Sequence, residues 1–184
     1  MGRYQAGIRT EARIIDATRS LLAEGGLEAA TLKAICDRAD VKAGSFYNLF
    51  DSKEEIVIMV VREAIDAVDP DPTGAGTDTV DDLVAAFVRF FEEEPQTAKI
   101  YVIAAVKTES SENGARKRFL KHHNRRVERF ADAMARADAT LSEEAAEMRA
   151  ELMLGALDGL AFRWALDPTF DFAKYAHEAA VRLC

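Results

Sequence analysis

One segment, about a quarter of the way along the chain, carries side chains of the kinds that contact nucleic acids. If residues 42–49 are helical, Gly44, Tyr47 and Asn48 lie at i, i+3 and i+4 on one face, with Ser45 beside them. Asparagine pairs bidentately with adenine, serine contacts bases or phosphate, and tyrosine donates to phosphate. Glycine lets the backbone come close to a partner. These residue types at this spacing predict a DNA-contacting face.

Two helices joined by a tight turn would hold this face outward. Thr31 is a good N-cap for the first helix, and Leu32, Ile35 and Ala39 give that helix one apolar face. Asp40 occupies the turn, where a left-handed backbone is often required and aspartate tolerates it. The pattern predicts a helix-turn-helix, a motif that places its second helix in the DNA major groove.

The second helix and the start of a third complete this motif. Phe46 and Phe50 face inward from the second helix, which is predicted over residues 42–49. Ser52 and Glu55 then form a capping box, in which each side chain satisfies a backbone N–H at the helix start. The remaining N–H groups of that turn are well placed for a phosphate. The third helix is therefore expected to add a contact to the DNA backbone.

Three stretches of this segment resemble the N-terminal signature of the tetracycline-repressor (TetR/AcrR) family of bacterial transcription regulators. They are Ala39-Asp40-Val41, Gly44-Ser45-Phe46-Tyr47 and Phe50-Asp51-Ser52-Lys53-Glu54. That family has an Ala-Gly-Val turn, a Gly-Thr/Ser-Leu/Phe-Tyr recognition helix and a Phe-x-Ser-Lys-Glu exit. The resemblance covers about residues 9–68 and continues more loosely over residues 159–171. The chain departs from the pattern at Asp40, where the family has glycine, and at Ala43, where a charged or polar residue is common.

The resemblance implies a ligand-responsive, DNA-binding transcriptional regulator. In this family such a protein is usually a homodimeric repressor that a small effector releases from a palindromic operator. The expected partners are double-stranded operator DNA, a second copy of the chain, and a lipophilic or aromatic effector. The predicted DNA contacts are Thr31, Lys42, Ala43, Gly44, Ser45, Tyr47, Asn48 and Lys53.

The charge distribution is compatible with DNA binding, although the formal net charge is −8. Residues 1–50 hold seven Lys/Arg and six Asp/Glu, whereas the remaining 134 residues carry a balance of about −9. At physiological salt, charges more than about 8 Å away are largely screened, so DNA binding depends on the charge close to the DNA-contacting face. Arg3, Arg9, Lys42 and Lys53 are expected to supply a basic patch.

Periodicity and chain breakers predict an all-α protein, with a three-helix helix-turn-helix domain joined to a C-terminal helical ligand-binding and dimerisation domain. The domains are predicted at residues 1–51 and 52–184, with a helix over about 52–68 as connector. The breaker-rich segment 69–77 follows that helix. The first helix is predicted over about 10–24. The later helices are predicted over about 78–94, 96–109, 112–138, 141–166 and 171–183.

Aromatic residues are numerous in the predicted C-terminal domain. On periodicity alone they simply fill a core, whereas the resemblance favours a small-molecule pocket with a few polar handles. His123 lies on an apolar stripe and is the candidate handle, with a structural histidine as the alternative. His122, Arg125 and Arg126 fall off that stripe and are expected on a solvated face. The predicted pocket residues are Phe87, Phe91, Tyr101, Phe119, His123, Phe130 and Met134.

The last two helices each carry a stripe of small and apolar residues. Such a pair can pack internally or against a partner, and the resemblance favours a four-helix bundle formed with a second copy. The glycines in the first stripe allow close approach between helices. The predicted dimer residues are Met148, Leu152, Gly155, Gly159, Phe162, Phe172, Ala176, Ala179 and Leu183.

Other functional classes find less support in the sequence. No nucleophile motif or Gly-rich phosphate loop occurs, and the adjacent His122 and His123 cannot chelate as i, i+4 neighbours would. The chain is therefore not expected to be an enzyme, to hold a metal ion or to bind a cofactor. Two cysteines, the lack of a long apolar run and the absence of an apolar leader favour the cytoplasm and no membrane association. The alternative is a helical small-molecule-binding or interaction protein without a DNA-binding role.

Overall fold

The structure, a computed structural model, describes residues 2–107 and 114–184. Within these residues the chain is helical and contains no strand, which confirms the all-α prediction. The predicted helix ends at 109 and 112 lie outside the described residues. The helices are α1 (Gly2–Ala29), α2 (Leu32–Ala39), α3 (Ala43–Tyr47), α4 (Lys53–Ala67), α5 (Val80–Glu93), α6 (Pro95–Lys107), α7 (Gly114–Ala137), α8 (Glu143–Leu166) and α9 (Phe172–Leu183).

The chain divides into two compact units, each made of two separate stretches. Unit 1 comprises Met1–Glu63 and Gln96–Phe119, and unit 2 comprises Ala64–Pro95 and Leu120–Cys184. The divisions fall inside α4 and α7 and at the start of α6. The domain division predicted after residue 51 stays a prediction.

Helix α1 is longer than the predicted span of 10–24. It begins at Gly2, because a glycine such as Gly7 is tolerated inside a helix at a cost of about 1 kcal/mol relative to alanine. The helix is interrupted at Gly25 and Gly26, directly after the predicted end at residue 24. Gly26 has φ +64°, a left-handed conformation that only glycine adopts without strain, and a further short turn leads to Ala29.

The core of unit 1 is formed by side chains from α1, α2, α3 and α4. Ile14, Ile35, Phe46 and Ile56 have no exposed surface, and the rings of Phe46 and Phe50 lie 5.5 Å apart. Burying an apolar side chain of this size stabilises the fold by about 1.5–3 kcal/mol. Each helix of the predicted motif is therefore fixed to the others through its apolar face.

The core of unit 2 is centred on aromatic rings from α5, α8 and α9. Phe91 stacks on Phe172 with ring centroids 4.3 Å apart. The rings of Phe91 and Trp164 meet edge to face, with centroids 5.0 Å apart. Phe90 is fully buried on the same helix. This cluster joins α5 to the last two helices.

An ion-pair network ties the breaker-rich segment to α7. Arg129 donates to both carboxylate oxygens of Asp69 at 2.8 Å and to Asp78 at 2.6 Å. Arg136 donates to the other carboxylate oxygen of Asp78 at 3.2 Å. The bond from Arg129 lowers the pKa of Asp69, more strongly than partial burial raises it. The two ends of the segment are therefore held against one helix.

Replacing Asp78 with alanine is expected to lower the free energy of unfolding by about 2 kcal/mol. The Asp78 side chain is only 4% exposed, and its loss leaves Arg129 and Arg136 each without one carboxylate partner. Chemical denaturation measures the change, with Asp132→Ala, an exposed position on α7, as the matched control. Equal stability of the two variants would show that the network does not hold the segment.

Candidate functional site

The turn between α2 and α3 has the geometry that a helix-turn-helix requires. The Thr31 hydroxyl caps α2 by accepting from the backbone N–H of Ala34 at 3.1 Å. Asp40 has φ 50° and ψ 54°, so the left-handed turn predicted from the sequence is present. A guanidinium N–H of Arg13 donates to the Asp40 carbonyl at 3.1 Å, and the N–H of Val41 donates to the Cys36 carbonyl at 3.0 Å. These bonds fix where α3 begins.

Helix α3 is shorter than predicted but presents the predicted face. It ends at Tyr47 instead of residue 49, because Asn48 forms the C-cap and the chain turns at once toward Phe50. Phe46 is fully buried, whereas Tyr47 is 57% exposed and its ring lies edge-on to Phe46 at 5.6 Å. The exposed residues of the predicted set are Thr31, Lys42, Ala43, Gly44, Ser45, Tyr47 and Asn48.

Lys53 lies at the start of α4, where the predicted cap is present in a modified form. The N–H of Glu55 donates to the Ser52 hydroxyl at 3.2 Å. The Glu55 carboxylate accepts from the N–H of Asp51 at 2.7 Å, one residue earlier than the predicted partner. Lys53 is half-buried, and its ammonium lies 3.9 Å from the Glu54 carboxylate, too far for a hydrogen bond. Its charge is therefore still available to a phosphate.

The other members of the predicted basic patch lie on α1 and just before α3. Arg9 and Lys42 are exposed. The side chain of Arg3 lies outside the part of the chain that the structure describes. The positive charge near α3 therefore rests on few residues, which agrees with the small charge balance of the N-terminal segment.

Unit 2 contains a pocket open to solvent that encloses about 70 Å³. Its walls come from the end of α4, the segment after it, α5 and α7. Of the residues predicted to hold an effector, only Phe87 and Phe130 line it. The full lining is Ile65, Asp66, Val68, Asp69, Pro70, Leu83, Ala86, Phe87, Phe90, His122, Arg125, Arg126, Arg129 and Phe130.

The other predicted pocket residues have different surroundings. Phe91 and Met134 are buried in the core of unit 2. The ring of His123 lies 3.2 Å from the Glu151 carboxylate, so its partner is a side chain of α8. Tyr101 and Phe119 pack together in unit 1, with ring centroids 5.9 Å apart. Within unit 2, the pocket therefore brings together Phe87 and Phe130 of the predicted set.

The polar side of the pocket comes from residues that the sequence analysis placed on a solvated face. His122, Arg125 and Arg126 all line it, and the Arg126 guanidinium lies 4.5 Å from the centre of the Phe87 ring. The stem and the flat guanidinium of an arginine can cover an apolar surface. Hydrophobic periodicity, in contrast, treats arginine only as a polar residue. The signal present in the sequence is the 4, 3 spacing of His122, Arg126 and Arg129 along α7.

The predicted dimer residues divide between exposed and buried positions. Met148, Leu152 and Phe162 are exposed large apolar side chains on α8, and Gly155 and Gly159 are exposed on the same helix. Their spacing places all five on one face.

On α9 the predicted stripe faces mostly inward. Phe172 and Ala176 are buried in the core of unit 2, and neither has surface to offer a second copy of the chain. Ala179 and Leu183 are half-buried. The two faces of α9 cannot be told apart from the sequence, because small and apolar residues occur on both.

Residues 14–60 match a family model described as bacterial regulatory proteins, tetR family. This segment is of the TetR-family type. The matched residues run from α1 through the turn and α3 into α4, so they include every predicted DNA contact. The match to the TetR family therefore lies in the same segment that carries the motif.

Two curated relatives match this TetR-family segment. The HTH-type transcriptional repressor KstR of Rhodococcus jostii (strain RHA1) is 37% identical over 57 residues, which cover 31% of this chain and 27% of the relative. KstR2 of the same strain is 42% identical over 62 residues, which cover 34% of this chain and 29% of the relative. The match spans less than a third of the length of either relative.

The likeness in fold extends over nearly the whole chain. The crystal structure of Thermus thermophilus FadR, a TetR family transcriptional repressor in complex with lauroyl-CoA, superposes with a TM-score of 0.70. The alignment covers 94% of this chain and 92% of that chain at 18% sequence identity. The chain thus shares the fold of this structure over nearly its whole length.

The described residues contain no group of three or more His, Cys, Asp or Glu side chains placed to hold a metal ion. None of the helices in residues 2–107 and 114–184 is both long and apolar enough to cross a membrane.

Proposed function

We propose that this chain is a ligand-responsive, DNA-binding transcriptional regulator that works as a homodimeric repressor. The observation that carries the proposal is the outward face of α3, where Gly44, Ser45, Tyr47 and Asn48 are exposed while Phe46 is anchored in the core. This arrangement suits base and phosphate contacts in a major groove. The repressor role of KstR and KstR2, which share this segment, supports it.

Dimerisation is proposed through the exposed apolar face of α8. Met148, Leu152 and Phe162 form a stripe that water would otherwise cover, and Gly155 and Gly159 allow a facing helix to come close. A two-fold dimer presents two copies of α3, so the operator is proposed to be an inverted repeat with half-sites about one helical turn apart.

An effector is proposed to act through the pocket of unit 2. Helix α4 contributes Ile65 and Asp66 to the pocket wall, and the same helix begins at Lys53, six residues after α3 ends. A ligand that moves α4 would change the presentation of α3. A full reversal of DNA occupancy from 99:1 to 1:99 requires the ligand to prefer one state by about 5.5 kcal/mol.

On this proposal the chain acts on the chromosome in the cytoplasm and catalyses no reaction. The test is a fluorescence anisotropy titration of a selected operator duplex, with and without a small molecule found to raise the thermal stability of the protein. Saturating ligand is expected to weaken operator binding. Unchanged operator affinity with the pocket fully occupied would contradict the proposed response.

A further inference from the structure

The pocket of unit 2 has an apolar side and a cationic side. Leu83, Phe87 and Phe90 of α5 and Phe130 of α7 form the apolar side. The cationic side comes from α7, with three arginines within five residues, at positions 125, 126 and 129. A pocket of this kind fits a molecule with an apolar body and a polar head, because each half of the ligand meets a matching wall.

The three arginines are not equivalent. Arg129 is engaged by the carboxylates of Asp69 and Asp78. Arg126 lies 3.7 Å from the Asp158 carboxylate and above the Phe87 ring. Arg125 is exposed and forms no hydrogen bond or ion pair with the part of the chain that the structure describes. The Arg125 guanidinium is near enough to help lower the pKa of Asp69, but within the described residues it makes no contact with a carboxylate.

We propose that this pocket binds a small organic anion with an apolar body, and that Arg125 receives the ligand's carboxylate. The inference rests on the proposed function, because it names the chemical class of the effector. Guanidinium binds carboxylate through two parallel N–H donors, a geometry that Arg129 and Asp69 already form in the same wall. Because the pocket is open to solvent, the apolar body of a longer ligand can extend out of its mouth.

Other ligand classes fit the walls less well. A neutral apolar molecule would cover the arginine head groups and remove their water without replacing it. An amine is positively charged and would be repelled by the arginines. Two acidic residues also line the pocket, but Asp69 is bound to Arg129 and Asp66 lies at the exposed end of α4. A carboxylate near Arg125 is therefore favoured over either alternative.

Isothermal titration of the full-length protein with matched probes tests the inference. Hexanoate and benzoate are compared with hexanamide and benzamide, which keep the shape and lose the charge, and with hexylamine and benzylamine. The acids are expected to bind about tenfold or more tightly than the amides. Arg125→Gln is expected to abolish that preference. Lys121→Gln, which removes one exposed charge from the same helix outside the pocket, is expected to keep it.

Two results would overturn the inference: no binding of either acid, or an acid preference that survives in Arg125→Gln. The proposed function is tested separately by operator binding. An acid that binds through Arg125 without weakening operator affinity supports the ligand class and contradicts the ligand response. Release of the operator by an amide or an amine alone supports the response and contradicts the ligand class.

Discussion

Replacing Lys42 and Tyr47 together with alanine is expected to weaken operator binding by about 100-fold or more. Tyr47 is the last residue of α3 and Lys42 is its N-cap; both side chains are exposed, and a dimer loses each of them twice. The fold is expected to be retained, because Phe46, which anchors the helix, keeps its buried position. Fluorescence anisotropy with a selected duplex measures the affinity, and circular dichroism checks the helix content.

Matched variants separate the contributions to this loss. Tyr47→Phe keeps the ring and removes only the hydroxyl. Lys121→Ala removes an exposed lysine from α7 and is expected to leave affinity unchanged. If Lys42 contacts phosphate, its loss makes the negative slope of log affinity against log salt concentration shallower, by about 0.9 for each half-site. Unaltered affinity in the double variant would mean that α3 does not contact DNA.

Replacing Leu152 with glutamate is expected to convert the dimer to a monomer and to reduce operator affinity by about 100-fold or more. Leu152 is 58% exposed in the single chain and lies at the centre of the apolar stripe on α8. A carboxylate there would have to be buried without a partner when two copies meet. Each monomer would then hold only one half-site, so the gain from binding both half-sites together is lost.

Leu120→Glu provides the matched control for this dimer prediction. Leu120 is 47% exposed on α7, so the change has the same chemistry at a position outside α8 and α9. Sedimentation equilibrium is expected to give a dimer for this control and a monomer for Leu152→Glu. A Leu152→Glu variant that remains dimeric would place the interface elsewhere on the chain.

The features that could be predicted from the sequence depend on residues close to one another along the chain. The Thr31 cap involves a residue three positions away. The positive φ angles of Asp40 and Gly26 depend on the residue types at those two positions, a short polar side chain at one and no side chain at the other. The apolar periodicity of α2 and α3 likewise places Ile35 and Phe46 in the core. The helix-turn-helix and its exposed face follow from these local preferences.

The pocket depends on contacts between residues far apart in sequence, and it was predicted only in part. Arg129 binds Asp69 and Asp78 across 60 and 51 positions, and no local pattern marks that pairing. Periodicity assigns each residue to a face of its helix but does not show how far a long side chain reaches. It therefore favoured His123 as the polar handle, whereas His122 lines the pocket and His123 lies beside Glu151.

The lengths of α1 and α3 differ from prediction for local energetic reasons. A single glycine near the start of α1 costs too little to prevent the helix from forming. The N–H of Leu49 donates to the Phe46 carbonyl three residues earlier, so the chain tightens into a turn after Tyr47 and Phe50 lies in the core. Neither difference moves the exposed face of α3.

The central claim is that the chain reads a two-fold DNA sequence. The most direct test is to select genomic and random DNA fragments with the purified protein, shown by native mass spectrometry to carry no bound small molecule, and to sequence the retained fragments. The account predicts enrichment of an inverted repeat whose half-sites lie about one helical turn apart. Retention without sequence preference, or no retention by the ligand-free protein, would contradict it.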